Sequence, residues 1–389
     1  MIILLLLLLC LCALAVVHTY LWYPWWVIRT AERRSREPVG KPATPRTWPP
    51  VAVLMAVHNE ERVLPRKLET LAAQDYAGTV FYLFGSDQST DATDRLLEDF
   101  AARQPAGRCQ ILRNSHRRGK PATVNALYEQ LPAGVEILIL TDASVMLLPD
   151  TITELVRPML DDPAVGVTDA RVRHTGIDTG EISHLEDQYI RGEVALKQAE
   201  STVFGRFVGP FGGCWGLRAD LYTPVPDRFL VDDFFLCLSA YDRGSLGYSS
   251  PRACVEEGVG QRLEDEFRRK RRIGAGNWQN LLHFRRMWWP PFRSGFAFAF
   301  FSHKVLRWMT PVFLLLGAVC LLALGVVSGN YWGSLAFVLL LTLLCTRVRA
   351  LRYFVAMNAA LLLGMIDYAN GIRTNVWQPS HRPNEDGTN

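Results

Sequence analysis

Two strongly apolar regions enclose a middle region that has the charge density of a soluble domain. The first covers Met1 to Ile28, and the second begins near Trp308 and continues toward the C-terminus. Apolar runs of about 20 residues are long enough to cross the hydrocarbon core of a bilayer as helices. The pattern therefore predicts a membrane protein whose polar region, residues 51–286, folds outside the lipid.

Residues 1–28 are predicted to be a retained transmembrane helix. The apolar run Ile2–Val17 is longer than most signal-peptide cores, and no positively charged segment precedes it. The run is followed by aromatic residues and then by arginines: Tyr20, Trp22, Tyr23, Trp25, Trp26, Arg29, Arg33, Arg34 and Arg36. An aromatic belt followed by positive charge is typical of the cytoplasmic end of a span. Residues 29–50 are basic and Pro-rich, which predicts a linker.

The C-terminal region is predicted to contain three membrane-associated segments. The aromatic-rich residues 287–307 are predicted to lie at the membrane interface. Residues 308–346 are predicted to form a transmembrane hairpin with cytoplasmic positive flanks. A third helix at 351–373 carries Asn358, Asp367 and Asn370, which are costly in lipid unless buried. The sequence leaves open whether this helix spans, re-enters or lies in the interface, and residues 374–389 form a tail.

The polar region alternates continuous apolar runs with segments of helical periodicity. Val51–Val57, Val80–Phe84 and Val135–Leu140 are typical of strands that are buried on both faces. Helical spacing appears between them, as in Glu60–Ala73, where apolar residues recur every three or four positions. This alternation predicts an α/β fold with a mainly parallel sheet and flanking helices.

Polar, acidic turns follow three of the predicted strands. They are His58 to Glu61, Ser86 to Asp91 and Thr141 to Ser144. Each turn alone has an ordinary structural explanation as a helix cap or a turn former. Ligands of parallel sheets bind beyond the carboxyl ends of the strands, so three such turns at one edge favour a site. Acidic groups that meet there need a cation or hydrogen-bond donors, and Lys120 is a candidate for contacting phosphate.

The order and spacing of these motifs resemble those of family 2 glycosyltransferases, inverting enzymes with a GT-A fold. The resemblance covers Val51 to about Leu282, with flanking membrane helices as in the membrane-bound branch. It implies a nucleotide-sugar site that contains His58, Asn59 and Glu60 in the turn after the first strand. The segment Ser86-Asp87-Gln88-Ser89-Thr90-Asp91 resembles a motif whose first Asp, here Asp87, hydrogen-bonds the base. Lys120, in Gly119-Lys120-Pro121-Ala122-Thr123-Val124-Asn125, is implied to lie near the nucleotide.

The resemblance also implies a divalent metal ion, Mn2+ or Mg2+. The metal-binding D-x-D motif of the family corresponds to Asp142-Ala143-Ser144, in which the second Asp is replaced by Ser. A serine hydroxyl is a poorer ligand than a carboxylate, so this difference weakens the predicted metal site at Asp142 and Ser144. The ion would neutralise the charge that develops on the leaving nucleoside diphosphate.

Three further motifs resemble acceptor and catalytic elements of the family. The Gly-rich segment 209–218 resembles an acceptor loop, in which Gly213 allows close approach of the backbone and Trp215 either stacks on a sugar or fills the core. Leu230-Val231-Asp232-Asp233-Phe234-Phe235-Leu236 resembles the catalytic-base motif. It implies Asp233 as the base and Asp232 as a neighbour that tunes it at the acceptor site. Only Arg272 remains of a Q-x-x-R-W motif, where the Arg binds pyrophosphate, and this departure weakens any prediction of processive synthesis.

We therefore predict inverting transfer from a UDP-hexose or UDP-N-acetylhexosamine to a lipid-linked or polysaccharide acceptor at the cell membrane. The catalytic domain would be cytoplasmic and the protein multi-pass. The alternative is a catalytically weak or inactive, membrane-anchored donor-binding component of a polysaccharide assembly, for which Ser144 and the altered Arg269–Ile273 element are the best support. A nicotinamide-dependent enzyme is excluded because no GxGxxG follows the first strand.

The charge pattern and the cysteines exclude other classes. Basic residues cluster beside the membrane segments, which argues against a nucleic-acid partner. The eight cysteines include no CxxC pair and no histidine at zinc spacing, so reduced, buried cysteines are expected. The sequence leaves the oligomeric state open.

Overall fold

The structure is a computed structural model of the 389-residue chain, and it describes residues 1–34, 47–176, 182–258 and 263–372. The chain divides into two compact units. The helical unit combines Met1–Thr30 with Arg262–Gly371, and the sheet unit contains Ala31–Gln261. Most of the predicted linker, residues 35–46, and the predicted tail, 374–389, lie outside the described residues.

The elements follow one another along the chain in three groups. The N-terminal group is α1 (Ile2–Val17), a π-helical turn (His18–Trp22) and α2 (Tyr23–Arg34). The central group is β1 (Val51–Val57), α3 (Leu64–Ala72), β2 (Val80–Ser86), α4 (Thr93–Ala102), β3 (Cys109–Arg113), α5 (Lys120–Tyr128), β4 (Ile137–Thr141), β5 (Val145–Leu147), α6 (Thr151–Asp161), β6 (Val165–Thr175), α7 (Ile182–Phe204), β7 (Cys214–Arg218), α8 (Asp232–Asp242) and β8 (Leu246–Gly258). The C-terminal group is α9 (Leu263–His283), α10 (Arg285–Trp288), α11 (Gly295–Phe300), α12 (Leu306–Val327), α13 (Tyr331–Arg347) and α14 (Arg349–Ala369).

The described strands of the sheet unit form one eight-stranded sheet in the order β3-β2-β1-β4-β7-β6-β8-β5. Strands β3, β2, β1 and β4 are parallel, whereas β7 runs antiparallel to both β4 and β6. Every residue of β1 is buried, as expected for a strand covered on both faces. The mainly parallel sheet with flanking helices confirms the fold class that the alternating pattern predicts.

The sequence did not predict β5, β7 and β8. Strand β7 lies within the glycine-rich segment, where glycines normally indicate a turn. Gly216 is required within this strand because an added Cβ would lie 3.3 Å from the Met159 side chain and closer still to that of Thr168. Strand β8 contains Pro251 and two serines, so it lacks the long apolar run that marks a buried strand.

In the helical unit, α1 packs against α12. A Cβ added at Gly317 would lie 3.6 Å from the Leu9 side chain, and Cys12 and Cys320 are both buried. Next to these helices, Nε2 of His18 lies 2.9 Å from the Ser302 hydroxyl. Most other side chains of α1 and α13 are exposed and apolar, which is the surface that a lipid-facing helix presents.

Three described helical segments are long and apolar enough to cross a membrane: Ile2–Arg34, Gly295–Val327 and Arg349–Ala369. The apolar part of α13, Tyr331–Leu344, is shorter. The hairpin 308–346 therefore contains one full-length candidate and one short helix. The third C-terminal helix, which the sequence left open, meets the length criterion.

Candidate active site

The carboxyl ends of four strands lie side by side in the sheet unit. Register pairs Val57 of β1 with Ser86 of β2, and Ser86 with Arg113 of β3. On the other side, Thr141 at the end of β4 pairs with Cys214 at the start of the antiparallel β7. The predicted polar turns therefore meet at one edge of the sheet.

The turn after β1 is hydrogen-bonded to the loop after β2. Nδ1 of His58 donates to the carbonyl oxygen of Asp87 at 2.9 Å, and Oδ1 of Asn59 accepts from the Thr90 amide at 2.8 Å. Burial, together with the Arg117 charge, lowers the pKa of His58, so the imidazole is neutral at pH 7. Further bonds join the turn to the loop and to the start of α4, among them those from Glu60 N to Thr93 Oγ1 and from Ala92 N to Glu61 Oε2. The turn after β1 and the loop after β2, predicted as separate motifs, are thus joined by hydrogen bonds.

Asp87 is completely buried, and its carboxylate accepts four hydrogen bonds. The donors are Asn114 Nδ2, Arg117 Nε and the backbone amides of Arg118 and Gly119, at 2.7–3.1 Å. Burial raises the pKa of Asp87, but these hydrogen bonds outweigh it and leave the pKa below its usual range. Asp87 is therefore charged and anchors the loop 117–119, which leads directly into α5.

The hydrogen bonds of Asp87 affect its predicted role, which is to hydrogen-bond the nucleotide base. Both carboxylate oxygens are already used by donors of the chain itself. The geometry thus favours Asp87 as the support of the loop before Lys120, and a direct contact with a base stays a prediction. Asn114, which also donates to Thr123 Oγ1 at 2.8 Å, is a site residue that sequence reasoning missed.

Lys120 brings the acidic groups together. Its Nζ lies 2.7 Å from Oδ1 of Asp142 and 3.8 Å from Oδ2 of Asp232. Burial lowers the pKa of Lys120, but the charges of Asp142, Asp232 and Asp233 outweigh it and raise the pKa above its usual value. A cation thus offsets the acidic cluster, as the sequence requires.

Asp233 stands in the first turn of α8, and its surroundings disfavour its charged form. Burial and then the charge of Asp232 raise its pKa to about 7, against the opposing charge of Lys120. Oδ1 accepts from the Phe234 amide at 2.8 Å. A Cβ added at Gly212 would lie 2.8 Å from the Asp233 carboxyl carbon, so only glycine fits beside this carboxylate. A carboxylate with a pKa near neutrality suits a general base.

The loop that precedes β7, residues 205–213, contains the first part of the segment 209–218 that resembles an acceptor loop, and it is called the acceptor loop for that resemblance. It is joined to the end of β4. The carbonyl oxygen of Gly213 accepts from the Asp142 amide at 3.0 Å and from Thr141 Oγ1 at 2.9 Å. Thr141 Oγ1 in turn accepts from Nζ of Lys67, which also donates to the carbonyl oxygen of Val145. Gly213 therefore contributes through its backbone to the position of the Asp142 turn.

Lys67 is a second residue that sequence reasoning missed. It is 0% exposed on α3, and burial lowers its pKa to about 8. The sequence does contain a sign of this burial. Lys67 belongs to the same helical apolar stripe as Leu64, Leu68 and Leu71, and this face of the helix is expected to be buried. A lysine at such a position needs internal acceptors, since a buried polar group without partners is costly.

Buried carboxylates hold the acceptor loop from the core side. Oδ1 of Asp169 accepts from the Phe211 amide at 2.7 Å, and Oδ2 pairs with Lys197 at 2.5 Å. Oε2 of Glu200 accepts from the Val208 amide at 3.0 Å. The loop backbone is therefore fixed by charged residues of β6 and α7, for which the sequence analysis proposed no role.

Trp215 corrects one sequence expectation. It lies on β7 and is 1% exposed, so its ring fills the core rather than facing a sugar. Strand β7 is central in the sheet between β4 and β6, which explains the burial. Of the two alternatives given for Trp215, the structure supports core packing.

The metal prediction rests on a small set of donors. Asp142 has a side chain that is 40% exposed, and Ser144 is partly exposed. No group of three His, Cys, Asp or Glu side chains that could hold a metal occurs among the described residues. One carboxylate fits an ion such as Mg2+ that is bound largely by substrate phosphates and water. These residues therefore fit a metal ion that is bound jointly by the protein and a diphosphate. They do not fit an ion whose ligands all come from the protein.

Arg272 lies on α9 of the helical unit. Its predicted contact with pyrophosphate stays a prediction. The described residues that do come together in the sheet unit are Lys120, Asp142, Asp232 and Asp233, with Asp87 and Gly213 supporting them.

Comparisons with known proteins identify the fold. Residues 52–223 match the family model described as glycosyl transferase family 2. A mannosyltransferase of Pyrobaculum calidifontis, solved with GDP-Man and Mn2+, has a TM-score of 0.71 at 20% identity, covering 93% of this chain and 99% of its own. TarS 1–349 of S. aureus, solved with UDP-GlcNAc, has a TM-score of only 0.42 at 15% identity, covering 82% and 92%, and supports no argument. No curated protein matches the chain. The fold of the sheet unit is GT-A.

Proposed function

We propose that this protein, whose residues 52–223 match the family model of glycosyl transferase family 2, is a glycosyltransferase that transfers a sugar from a nucleoside diphosphate sugar with inversion. The proposed donor is a UDP-hexose or UDP-N-acetylhexosamine. The proposed acceptor is a lipid-linked or polysaccharide hydroxyl at the cytoplasmic face of the membrane. One observation carries the proposal: Asp142 and Asp232 meet around Lys120, next to an Asp233 whose pKa is raised to about 7.

Asp233 is proposed as the general base. Its carboxylate takes the proton of the acceptor hydroxyl as the hydroxyl oxygen attacks the anomeric carbon, and the bond to the nucleoside diphosphate breaks. The attack comes from the face opposite the leaving group, so the anomeric configuration inverts without a covalent intermediate. Asp232 supports this role because its charge helps to keep the pKa of Asp233 near neutrality.

Lys120 and the Asp142 turn are proposed to hold the leaving diphosphate. The Lys120 ammonium lies 2.7 Å from Oδ1 of Asp142, and a diphosphate would offer it further oxygens. A bound Mn2+ or Mg2+, held by Asp142 with Ser144 and the phosphates, would supply charge neutralisation for the leaving group. His58, Asn59 and Glu60 are proposed to shape the nucleotide pocket, and Arg272 is proposed to reach the pyrophosphate.

Donor hydrolysis and transfer by the purified full-length protein test this proposal. A panel of UDP- and GDP-sugars, with and without EDTA, is offered with membrane lipid extracts, and the product is sized and its anomeric configuration read by NMR. We expect one donor to turn over, metal removal to abolish turnover, and Asp233→Asn to lower kcat by about 100- to 10,000-fold. Asp242→Asn, at the exposed far end of α8, is the matched control.

Retention of configuration, or full activity of Asp233→Asn, would contradict the inverting mechanism. A second function is favoured by Ser144 and by the sparse metal donors: a donor-binding component with weak or no activity. That alternative predicts donor binding by calorimetry, weakened by Asp142→Asn, without turnover of any sugar in the panel.

A further inference from the structure

An ion pair joins the last turn of α14 to α9. Oδ2 of Asp367 lies 2.6 Å from Nε of Arg271, and Oδ1 lies 2.7 Å from Nη2, so the pair is bidentate. Helix α9 carries acidic residues in its first turn and basic residues at 268–272. Such a helix is too highly charged to lie in hydrocarbon. The end of α14 that reaches Arg271 must therefore lie outside the bilayer core, on the side of α9.

The two helices also touch at the backbone. A Cβ added at Gly364 would lie 2.8 Å from the amide nitrogen of Ala275, and one added at Gly274 would lie 3.3 Å from Cα of Leu361. The ion pair continues this line of contact by one turn. Glycine at both crossing points lets the helices approach closely. The contact thus extends over residues 361–367 and is broader than a single pair of flexible side chains.

The first half of α14 is tied to the same side. The Phe354 ring packs edge-on against Tyr20 at 5.4 Å, and the Arg307 guanidinium lies 5.3 Å from the Tyr20 ring. Tyr20 belongs to the aromatic belt, and Arg307 stands in the first turn of α12, so both mark a membrane interface. Helix α12 begins on the side of α9, because the part of the segment Gly295–Val327 that precedes it, residues 295–305, is too short to cross a bilayer.

Opposite faces of α14 have different surroundings. Residues 357, 358, 360 and 364 are buried, and Gly364 lies against the α9 backbone. The exposed apolar side chains Leu351, Val355 and Ile366 are spaced so that they share the opposite face. A helix with one docked face and one exposed apolar face suits the boundary between headgroups and acyl chains.

We propose that α14 lies along the membrane surface on the side of α9 and does not cross the bilayer, although its length and composition would allow it to. Phe354 and Asp367 are about 20 Å apart along the helix, and both contact residues of the same interface. The exposed face of α14 inserts shallowly into that leaflet. The chain therefore leaves α14 at Asn370 on the side of α9, which the arginine distribution predicts to be cytoplasmic. This inference does not depend on the proposed function.

A protease-protection experiment on the full-length protein tests the proposal. A cleavage site is added after Asn389, or inserted at Gly107 in the sheet unit, or at Gly329 between α12 and α13; both glycines have open surroundings. Protease is then added to sealed membrane vesicles of either orientation. We expect the tail site and the Gly107 site to be cut in the same vesicles, and the Gly329 site only in vesicles of the opposite orientation. Cleavage of the tail together with Gly329 would overturn the proposal.

Charge exchange tests the contact itself. We expect Arg271→Asp and Asp367→Arg each to lower the melting temperature of the protein in lipid nanodiscs by a few degrees. The double exchange should restore much of the loss, because the opposite charges meet again. A double variant that loses the sum of the two single effects would show that α14 does not rest on α9 in a bilayer, and would also overturn the proposal.

Discussion

At the scale of single residues, the site depends on how one carboxylate is kept close to neutrality. Burial is the largest cause of the raised pKa of Asp233, and the charge of Asp232 is the second. Lys120 acts in the opposite direction, since its ammonium favours the charged carboxylate. The balance keeps Asp233 able to take a proton near pH 7, which neither a buried carboxyl alone nor an exposed one would do.

The pH profile of Asp232→Asn tests this balance. In the unmodified protein, activity should fall as pH drops through about 7, because Asp233 becomes protonated. Removing the Asp232 charge lowers the pKa of Asp233, so the acidic limb of kcat/KM should move to lower pH. Asp242→Asn should leave the limb in place. If the acidic limb of Asp232→Asn is unchanged or moves to higher pH, Asp233 is not the group whose protonation limits activity.

Lys67 is a residue whose effect on the site is indirect. Its Nζ bonds Thr141 Oγ1, which bonds the carbonyl of Gly213, and Gly213 also accepts from the Asp142 amide. A buried ammonium thus positions the turn that carries Asp142, without reaching the substrate. We regard it as a positioning residue.

Lys67→Met keeps most of the side-chain volume but removes its donors. Leaving buried acceptors unpaired should cost about 1–3 kcal/mol of unfolding free energy. We also expect a lower kcat and weaker metal activation, because the Asp142 turn loses its support. Arg66→Met, whose side chain is 58% exposed, is the neighbouring control. A variant that is less stable but unchanged in metal activation would reduce Lys67 to a purely structural role.

At the scale of elements, the acceptor loop is held by buried charges of the elements around it. Asp169 of β6 and Glu200 of α7 accept loop amides, and Lys197 neutralises Asp169. The start of α8 presses against the loop at Gly209 and Gly212, where the Phe234 ring and the Asp233 carboxylate leave no room for a Cβ. The loop and the first turn of α8 are therefore closely packed against each other.

Gly212→Ala tests that packing. The new methyl group must displace the Asp233 carboxylate, and a misplacement of about 1 Å can lower kcat by on the order of 100-fold. Gly192→Ala on α7 has open space around it and should leave kinetics unchanged. The test measures kcat of both variants, and their melting temperatures verify that both are folded. Wild-type kcat in Gly212→Ala would show that the carboxylate is not confined as described.

At the scale of the whole molecule, the acidic cluster and the candidate membrane-crossing segments lie in different units of the chain. The acidic cluster lies wholly in the sheet unit, and the three candidate membrane-crossing segments lie almost entirely in the helical unit. Exposed apolar side chains cover α1 and much of α12 and α13. In water these apolar surfaces would cause the protein to aggregate, whereas in a bilayer they contact lipid acyl chains.

Membrane fractionation of the full-length protein tests this separation. We expect the protein to remain in the membrane pellet after washing with alkaline carbonate, since spanning helices are held by the hydrophobic effect rather than by charge. Solubilisation should require detergent. Release of the full-length chain by carbonate alone would contradict the presence of spanning helices.

The amino-acid sequence determined the features that depend on local pattern. Continuous apolar runs such as Val51–Val57 predict buried parallel strands, and long apolar runs predict spans, because burial on both faces or in lipid leaves no polar alternation. The topology of a parallel sheet then brings the polar turns to one edge. Asp142, Asp232, Asp233 and Lys120 were predicted on this basis and by resemblance, and they do meet.

Only the tertiary structure decided what depends on distant segments of the chain. Trp215 in a glycine-rich segment proved to be core because β7 is central in the sheet, and Lys67 proved to be buried because Thr141 and Val145 offer it acceptors. Strands β7 and β8 carry no continuous apolar run, and they are recognised as strands only by their pairing, β7 antiparallel to β4 and β8 parallel to β6. Burial and hydrogen bonding between residues far apart in sequence are properties of the packed chain, and no local pattern encodes them.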